Sequence, residues 1–507
     1  MKITFIIPPT VDNSKLLSYR QAIPSPGVPY LASFLEAQNH QTLIIDALGL
    51  ALDKTFYLEK YKCYVRGLNI EEIIKRIPTD SDIIAFSIMY SNSWVYVKKL
   101  IKEAKKLFQK KIFIAGGEHV TADYDQLLKG CSQIDYLVLG EGEITLAELL
   151  DAIENSKDLH LVDGIAYRKN NQIIKTAARK RNNNLDSLPF PKWDKDVLEN
   201  YLSLNSGMTT INKRIMPIIT SRGCVYQCSF CTNQGMWGNH WISRKIENII
   251  CEIKFYISEY KINHLELHDL TAGLDKSHIC NFAKQLVANS IKISWSLPAG
   301  TRCESLDRET FSLLKKSGCN KISFAPESGS SSVLKKMDKR LSLKKILEVM
   351  SLCVQEQITV RAHIILGFPD QSFKDSLSTY FFIIKMALIG VHDVSIFKFV
   401  PLPGTTIFED LKAHGVIPTQ EEEYEYFLVN DLNNNEINKS SFCKNFTPKQ
   451  LNVMMFFGLC LFYFLQFFFR PYRLVKSLIC LIKKDPVSIF DNLLFYKIYG
   501  TTSKTKQ

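Results

Sequence analysis

Short apolar runs alternate with helical patterns along most of this chain, and that alternation restricts the fold more than any other feature. Five runs lie in the first 155 residues, at 3–7, 41–46, 82–87, 111–115 and 134–139. Apolar residues at helical spacing occupy 28–37, 71–76 and 95–108 between them. A strand–helix–strand order of this kind predicts a doubly wound parallel sheet with helices on both faces. Six further runs follow, at 216–220, 263–267, 292–297, 321–324, 359–366 and 393–399, again with helical patterns between. Six parallel strand–helix units suit an open, partial (β/α)6 barrel, whose chemistry sits at the carboxyl ends of its strands. Between the two sets, 162–168 and 172–175 flank Lys169-Asn170-Asn171 and read as a hairpin.

The loop after the run at 216–220 is Ser221-Arg222-Gly223-Cys224-Val225-Tyr226-Gln227-Cys228-Ser229-Phe230-Cys231. Its three cysteines stand four and three residues apart. Soft thiolates select iron–sulfur clusters, zinc or copper(I). Three thiolates would hold three irons of a cubane 4Fe-4S cluster and leave the fourth iron open to another ligand. A structural zinc site needs a fourth Cys or His, and His240 is the one candidate in the following dozen residues.

Composition narrows the surroundings. A chain of 507 residues has room for two to four domains. Net charge is +12, but the lysines and arginines form no compact motif interleaved with aromatics, so a nucleic-acid partner is not indicated. Thirteen cysteines, and a first strand that breaks at Pro8-Pro9 where a signal-peptide core would continue, point to a reducing cytoplasm. Cys251, Cys280, Cys303, Cys319 and Cys353 are scattered and read as buried small apolar groups.

The Cys-x3-Cys-x2-Cys loop resembles the signature of the radical S-adenosylmethionine (SAM) enzymes. The resemblance implies that Cys224, Cys228 and Cys231 hold the cluster, that SAM chelates its open iron, and that reductive cleavage of SAM yields a 5′-deoxyadenosyl radical. It further implies a SAM site. Glu327 and Ser328, at the end of the fourth barrel strand, would bind the ribose or the methionyl amine. Arg302 would end the third strand, Asp269 the second, and Phe230 would flank the adenine. Trp237 and Arg244 would lie on the first helix. Cys303, beside Arg302, is a candidate radical or methyl acceptor.

The N-terminal segment resembles the Rossmann-like cobalamin-binding domain that precedes many radical SAM cores. Pro26-Gly27-Val28-Pro29-Tyr30-Leu31-Ala32, Gly116-Gly117-Glu118-His119 and Gly140-Glu141-Gly142-Glu143 carry that likeness. In a doubly wound sheet ligands sit beyond the strand carboxyl ends. Ser87, Gly116, Gly117, Glu118, Gly140 and Gly142 are therefore the candidate cobalamin contacts. No Asp-x-His-x-x-Gly follows the first strand, which implies cobalamin without a histidine below the cobalt. His119 is either a cobalt ligand or a hydrogen-bonding group. The alternative for this segment is a flavodoxin-like module that binds a nucleotide or nothing, but no Gly-x-Gly-x-x-Gly opens a helix after the first strand.

These readings divide the chain into a cobalamin-binding domain (1–155), a linker with a β-hairpin (156–210), a radical SAM core (211–410) and a helical C-terminal domain (411–507). Leu188-Pro189-Phe190-Pro191 and Asp194 in the linker resemble the Leu-Pro-x-Pro bridge of the family. Residues 451–469 are nearly all apolar and long enough to span a bilayer. Arg470, Arg473, Lys476, Lys483 and Lys484 follow, as beside an anionic lipid surface. Packing in the C-terminal domain and peripheral membrane contact through 451–476 are both open readings. The activity implied is methylation of an unactivated carbon in a small-molecule or lipid-like substrate. One SAM would methylate cob(I)alamin and a second would supply the radical. An electron donor such as flavodoxin or ferredoxin is the expected protein partner. The alternatives are a non-methylating oxidoreductase or cyclase and a corrinoid- or cluster-binding sensor. The expected location is cytoplasmic, at most peripheral to a membrane.

Overall fold

The structure is a computed structural model and describes residues 1–12, 22–205, 207–208, 213–432, 440–482 and 490–491. Lys483 and Lys484 lie outside the described residues. The chain forms two compact units. The first comprises Met1–Tyr201, Gly223–Ile242 and Val400–Asn438; the second comprises Leu202–Arg222, Ser243–Phe399 and Lys439–Gln507.

The first unit is built on seven strands: β1 (Lys2–Ile7), β2 (Gln41–Asp46), β3 (Ile83–Ser87), β4 (Ile112–Gly116), β5 (Tyr136–Val138), β6 (Ile165–Lys169) and β7 (Gln172–Lys175). Their order across the sheet is β7-β6-β5-β4-β3-β1-β2. β1 to β5 run parallel, whereas β6 and β7 add antiparallel at one edge. The sequence pattern places these strands because each has a face to bury. Ile3, Phe5, Ile83, Ala85 and Ile114 pack with Val28, Ala32 and Leu35 of the helix Gly27–Glu36 and with Leu149 and Leu150 of the helix Gly142–Glu154. The β6–β7 hairpin turns on Asn170 and Asn171, both left-handed at φ 50° and 62°, the geometry of a type I′ turn. A three-stranded sheet of Thr10–Asp12, Cys63–Arg66 and Thr55–Leu58 went unread in the sequence. Its strands are three or four residues long, too short to carry an alternating pattern.

The helix Glu421–Asn430 packs within this same unit. Glu425 accepts from Lys98 at 2.6 Å and from the Tyr61 hydroxyl at 2.8 Å, and Glu421 also reaches Lys98. Tyr424 donates to Asp123 at 2.7 Å. Burial pushes the Asp123 carboxyl up to about 7, partly offset by that bond.

The second unit carries six strands: β8 (Ile215–Ile218), β9 (His264–Leu267), β10 (Ser294–Thr301), β11 (Cys319–Glu327), β12 (Thr359–Leu366) and β13 (Asp393–Lys398). They lie in sequence order, all parallel, as an open partial barrel. Leu265, Trp295, Leu297, Ile322, Phe324, Val360, Ala362 and Ile364 are buried on one face of the strands. The 22-residue helix Pro448–Phe469 packs on β13 and on the helix Phe373–Ile389. It buries Leu451, Gly458, Phe462, Tyr463 and Gln466, and exposes Val453, Phe456, Phe457, Phe464, Phe468 and Phe469. Among the described residues it is the one helix long and apolar enough to cross a membrane, and 28% of its most apolar stretch is buried.

Lys98 and Glu425 form an enclosed ion pair, so removing one partner should strand the other charge. Lys98→Met is expected to cost about 3–5 kcal/mol, read as a lower urea midpoint. Lys98→Met combined with Glu425→Leu should recover most of it. A single variant as stable as the wild type would contradict this account.

Candidate functional site

The cysteine loop belongs to the first unit and begins with a constraint on the backbone. Gly223 is left-handed at φ 90°, and a side chain there would press a Cβ to 2.0 Å from the His240 carbonyl oxygen. Only glycine lets the chain turn so close. Cys228 is buried, while Cys224 and Cys231 are half-buried, and none is disulfide-bonded. The Cys231 amide donates to the Cys228 carbonyl at 3.0 Å, and the Asn233 side-chain amide donates to the Cys224 carbonyl at 3.3 Å. Phe230 is half-buried on the same loop. Among the described residues no three His, Cys, Asp or Glu side chains gather closely enough to hold one ion. A cubane spreads its thiolates over separate irons, and three cysteines at this spacing on one loop fit that group.

Loops of the parallel sheet lie against this one. Ser87 ends β3 and Gly116 ends β4; the Ile88 amide, next after Ser87, donates to the Gly116 carbonyl at 2.8 Å. Gly117 is left-handed at φ 124°, and a Cβ on it would sit 2.6 Å from the Ile88 carbonyl oxygen. Glu118 opens the helix Glu118–Gly130 and accepts from the hydroxyl of Thr232, the residue after Cys231. Burial raises its carboxyl above the usual range. Gly140 donates its amide to Thr121 at 2.9 Å, and a Cβ there would meet nothing nearer than 3.8 Å. Gly142 opens the helix Gly142–Glu154. Of these glycines Gly116, Gly117 and Gly142 face Val138, Ile88 and Leu31, and Gly140 after β5 is the one that leaves bare backbone open to a broad flat ligand such as a corrin. His119 is buried beside Trp94, and neither ring nitrogen has a hydrogen-bond partner. Burial lowers its pKa to about 3, so the imidazole is neutral. Glu141 is engaged by Arg181 at 2.6 Å.

In the second unit the remaining candidates are more occupied than the sequence suggested. Glu327 ends β11 in a left-handed conformation, φ 64°, and pairs with buried Lys339 at 3.0 Å. The Ser328 hydroxyl lies 3.2 Å from that of Thr379 and accepts from the Ser330 amide at 3.1 Å. Arg302 follows β10, paired with Glu304 at 2.6 Å and reaching the Arg340 carbonyl. Asp269 accepts from the Thr220 amide and hydroxyl and from Ser221, at 2.5–2.7 Å, and so braces the end of β8. Arg244 is not on the first helix. It precedes the helix Ile246–Tyr260, pairs with buried Glu252 at 2.6 Å and donates to the Ile219 carbonyl at 2.8 Å. Trp237, which belongs to the first unit, ends the short helix Asn233–Trp237. Cys303 is enclosed, and burial pushes its thiol up to about 12, an inert state. Cys251 is exposed rather than buried. Lys339 was missed in the sequence because a lysine in a polar loop carries no pattern.

The comparisons with known proteins bear on both units. Residues 16–150 match the B12 binding domain, and residues 218–383 match the Radical SAM superfamily. The chain is 26% identical over 482 residues to an uncharacterized methyltransferase of Pyrococcus horikoshii, covering 94% of this chain and 95% of that protein. It is 24% identical to the cytidylyl-2-hydroxyethylphosphonate methyltransferase of Streptomyces wedmorensis, over 78% of this chain and 79% of that one. It is 23% identical to the anaerobic magnesium-protoporphyrin IX monomethyl ester cyclase of Rubrivivax gelatinosus, over 76% and 66%. The fold is shared with the radical SAM methyltransferase TsrM of Kitasatospora setae, solved with cobalamin and a 4Fe-4S cluster bound. The TM-score is 0.64 at 14% identity, over 82% of this chain and 76% of that one.

Gly117→Ala should strain the backbone by about 1–3 kcal/mol and displace the β3 and β4 loops. The expected result is less cobalamin retained per chain after gel filtration, read from the corrin absorbance. Retention equal to wild type would show that this turn does not shape the cofactor edge.

Proposed function

From the premise that this chain belongs to the cobalamin-binding radical SAM enzymes, we propose that it transfers a methyl group to an unactivated carbon of a small-molecule substrate. The observation that supports this most is a juxtaposition inside the first unit. The Thr232 hydroxyl, one residue past Cys231, bonds to Glu118 on the glycine-rich edge of the parallel sheet. A cluster held by Cys224, Cys228 and Cys231 and a corrin on that edge would thus share one neighbourhood. When bound, the cluster would supply the electron for reductive cleavage of SAM, and cobalamin would carry the methyl group. The chain's own part is to hold them. Cys224, Cys228 and Cys231 are assigned to the cluster. Ser87, Gly116, Gly117, Glu118, Gly140 and Gly142 are assigned to cobalamin. Glu327, Ser328, Arg302 and Phe230 are assigned to SAM, with Lys339 fixing the Glu327 carboxylate.

The domain limits we assign are 1–155 for cobalamin, 156–210 for the linker, 211–410 for the core and 411–507 for the helical C-terminal region. The electron donor is assigned to flavodoxin or ferredoxin, because cluster reduction needs a one-electron source. The exposed aromatic row of Pro448–Phe469 and the bases after it fit a peripheral membrane contact of a cytoplasmic protein. A second reading, a cyclase without methyl transfer, is favoured by the likeness to the cyclase of Rubrivivax gelatinosus.

The test is anaerobic reconstitution with iron, sulfide and cobalamin, followed by reduction with dithionite in the presence of SAM. The expected product is 5′-deoxyadenosine, lowered at least about a hundredfold by Cys224→Ala, Cys228→Ala or Cys231→Ala. Undiminished formation in any of the three would contradict the assignment. Once a substrate is found, a mass gain of one methylene supports methylation, and no gain supports cyclisation.

A further inference from the structure

Three helices of the second unit carry apolar side chains on their solvent side. The helix Phe373–Ile389 exposes Phe373, Leu377, Phe381 and Leu388. The helix Pro448–Phe469 exposes Val453, Phe457, Phe464 and Phe468, and the helix Pro471–Ile482 exposes Tyr472, Val475, Ile479 and Ile482. In each helix the exposed residues recur at helical spacing and form a stripe. Each also buries residues against the body, among them Tyr380, Phe462 and Leu481, so the outward stripe is a second apolar face. The stripes adjoin. The Phe457 ring lies edge-on to Tyr380, the neighbour of Phe381, with centroids 5.2 Å apart. Arg470, between the two C-terminal helices, donates to the Leu388 carbonyl at 2.8 Å. An exposed aromatic surface of this extent marks something the chain docks on.

Charge says what covers it. Residues 373–389 and 448–482 hold six cations, Lys374, Lys385, Lys449, Arg470, Arg473 and Lys476, and one carboxylate, Asp375. Asp375 is committed to the hydroxyls of Ser330 and Ser372, from which it accepts at 2.6 Å. Of the carboxylates beside these helices, Glu348 pairs with Lys345 and Asp370 with Lys444. The four lysines of the three helices are exposed. Lys385 stands one turn from Phe381, and Lys476 follows Val475, so their stems can lie along the apolar surface with the ammonium at its rim. Aromatic rings inside a lysine rim match a bilayer with anionic head groups. A second copy of the chain fits less well, because a two-fold interface sets a patch against itself and would oppose like charges.

The long helix is tied down along its inner side. The Tyr463 hydroxyl donates to Asp393 at 2.5 Å and Gln466 donates to the Val391 carbonyl. Arg470 and Arg473 donate to the carbonyls of Ala387 and Gly390 at 2.9 and 3.1 Å. Crossing a bilayer would break these bonds and carry Gln466 into hydrocarbon. We propose that this three-helix face docks the chain on a membrane containing anionic lipid, with the helices Pro448–Phe469 and Pro471–Ile482 lying in the plane of the head groups. This rests on the peripheral contact read above and names its lipid and its orientation.

Vesicles of phosphatidylcholine, alone or mixed with phosphatidylglycerol, are the probe, and flotation of the full reconstituted chain is the readout. The chain should float with the mixed vesicles and bind phosphatidylcholine alone at least about tenfold more weakly. Alkaline carbonate should release it. Phe464→Ser combined with Phe468→Ser should weaken binding at least about tenfold. Both rings are exposed, at 67% and 69%, so the thermal midpoint should hold. Lys385→Glu combined with Lys476→Glu should remove the preference for phosphatidylglycerol. Equal binding to both vesicles would keep the peripheral contact and overturn the anionic assignment. Retention after carbonate would mean a span and overturn the in-plane orientation. The whole proposal is overturned if neither vesicle binds, or if the phenylalanine pair can be replaced without effect. It is also overturned if the chain ignores vesicles but forms a dimer that this replacement dissociates, which would give the face to a second copy. Cleavage of SAM by the wild type is measured separately. Its failure would count against the enzyme reading and leave the flotation result standing.

Discussion

Burying the apolar faces of the strands under helices decides what is left for chemistry: in the first unit both faces of the parallel strands are buried and the strand ends remain, and in the second one face also carries polar side chains. In the first unit the parallel strands β1 to β5 bury isoleucine, phenylalanine and alanine against two helices, and their carboxyl ends carry glycines and turn residues. In the second, the apolar face of β9 to β12 is closed by helices while Lys321, Ser323, Arg361 and His363 share the other. A one-residue slip in any of these strands would exchange the two faces. The register of the parallel sheet therefore positions the candidate ligands as firmly as any side-chain contact does.

The strands were legible in the sequence because their two faces differ. Residues 41–46 and 359–366 were read to the residue, and the hairpin followed from Asn170 and Asn171. The three-stranded sheet around Cys63–Arg66 was not legible, since its short strands offer no period. Part of the candidate site can be proposed from the sequence for a chemical reason: three cysteines on one loop have few uses. The rest cannot. Glu327 and Lys339 are twelve residues apart and meet only through the turn after β11. Asp269 and Arg244 looked like ligand-facing groups, but their partners are Thr220, Ser221 and Glu252, all structural. A sequence shows which residues carry charge, and tertiary packing decides which of those charges are already used.

Two histidines illustrate the same point. His119 and His363 are both held neutral chiefly by burial, and both have an unpartnered nitrogen. His119 lies beside the edge assigned to the cofactor, and His363 on the face of β12 opposite its apolar row. The helix Pro448–Phe469 is the reverse case. Its sequence is nearly uniform in apolarity, yet its packed side mixes Leu451, Phe462 and Tyr463 with Gly458, close to Ile396, and Gln466, which donates to the Val391 carbonyl. Its phenylalanines largely face outward.

A cluster assigned to Cys224, Cys228 and Cys231 keeps one iron without a thiolate. Mössbauer spectra of the iron-57 reconstituted chain, recorded with and without SAM, measure this directly. The account predicts four irons per chain, one of which separates from the other three when SAM is added. A bound zinc ion, or four irons that SAM leaves equivalent, would contradict it.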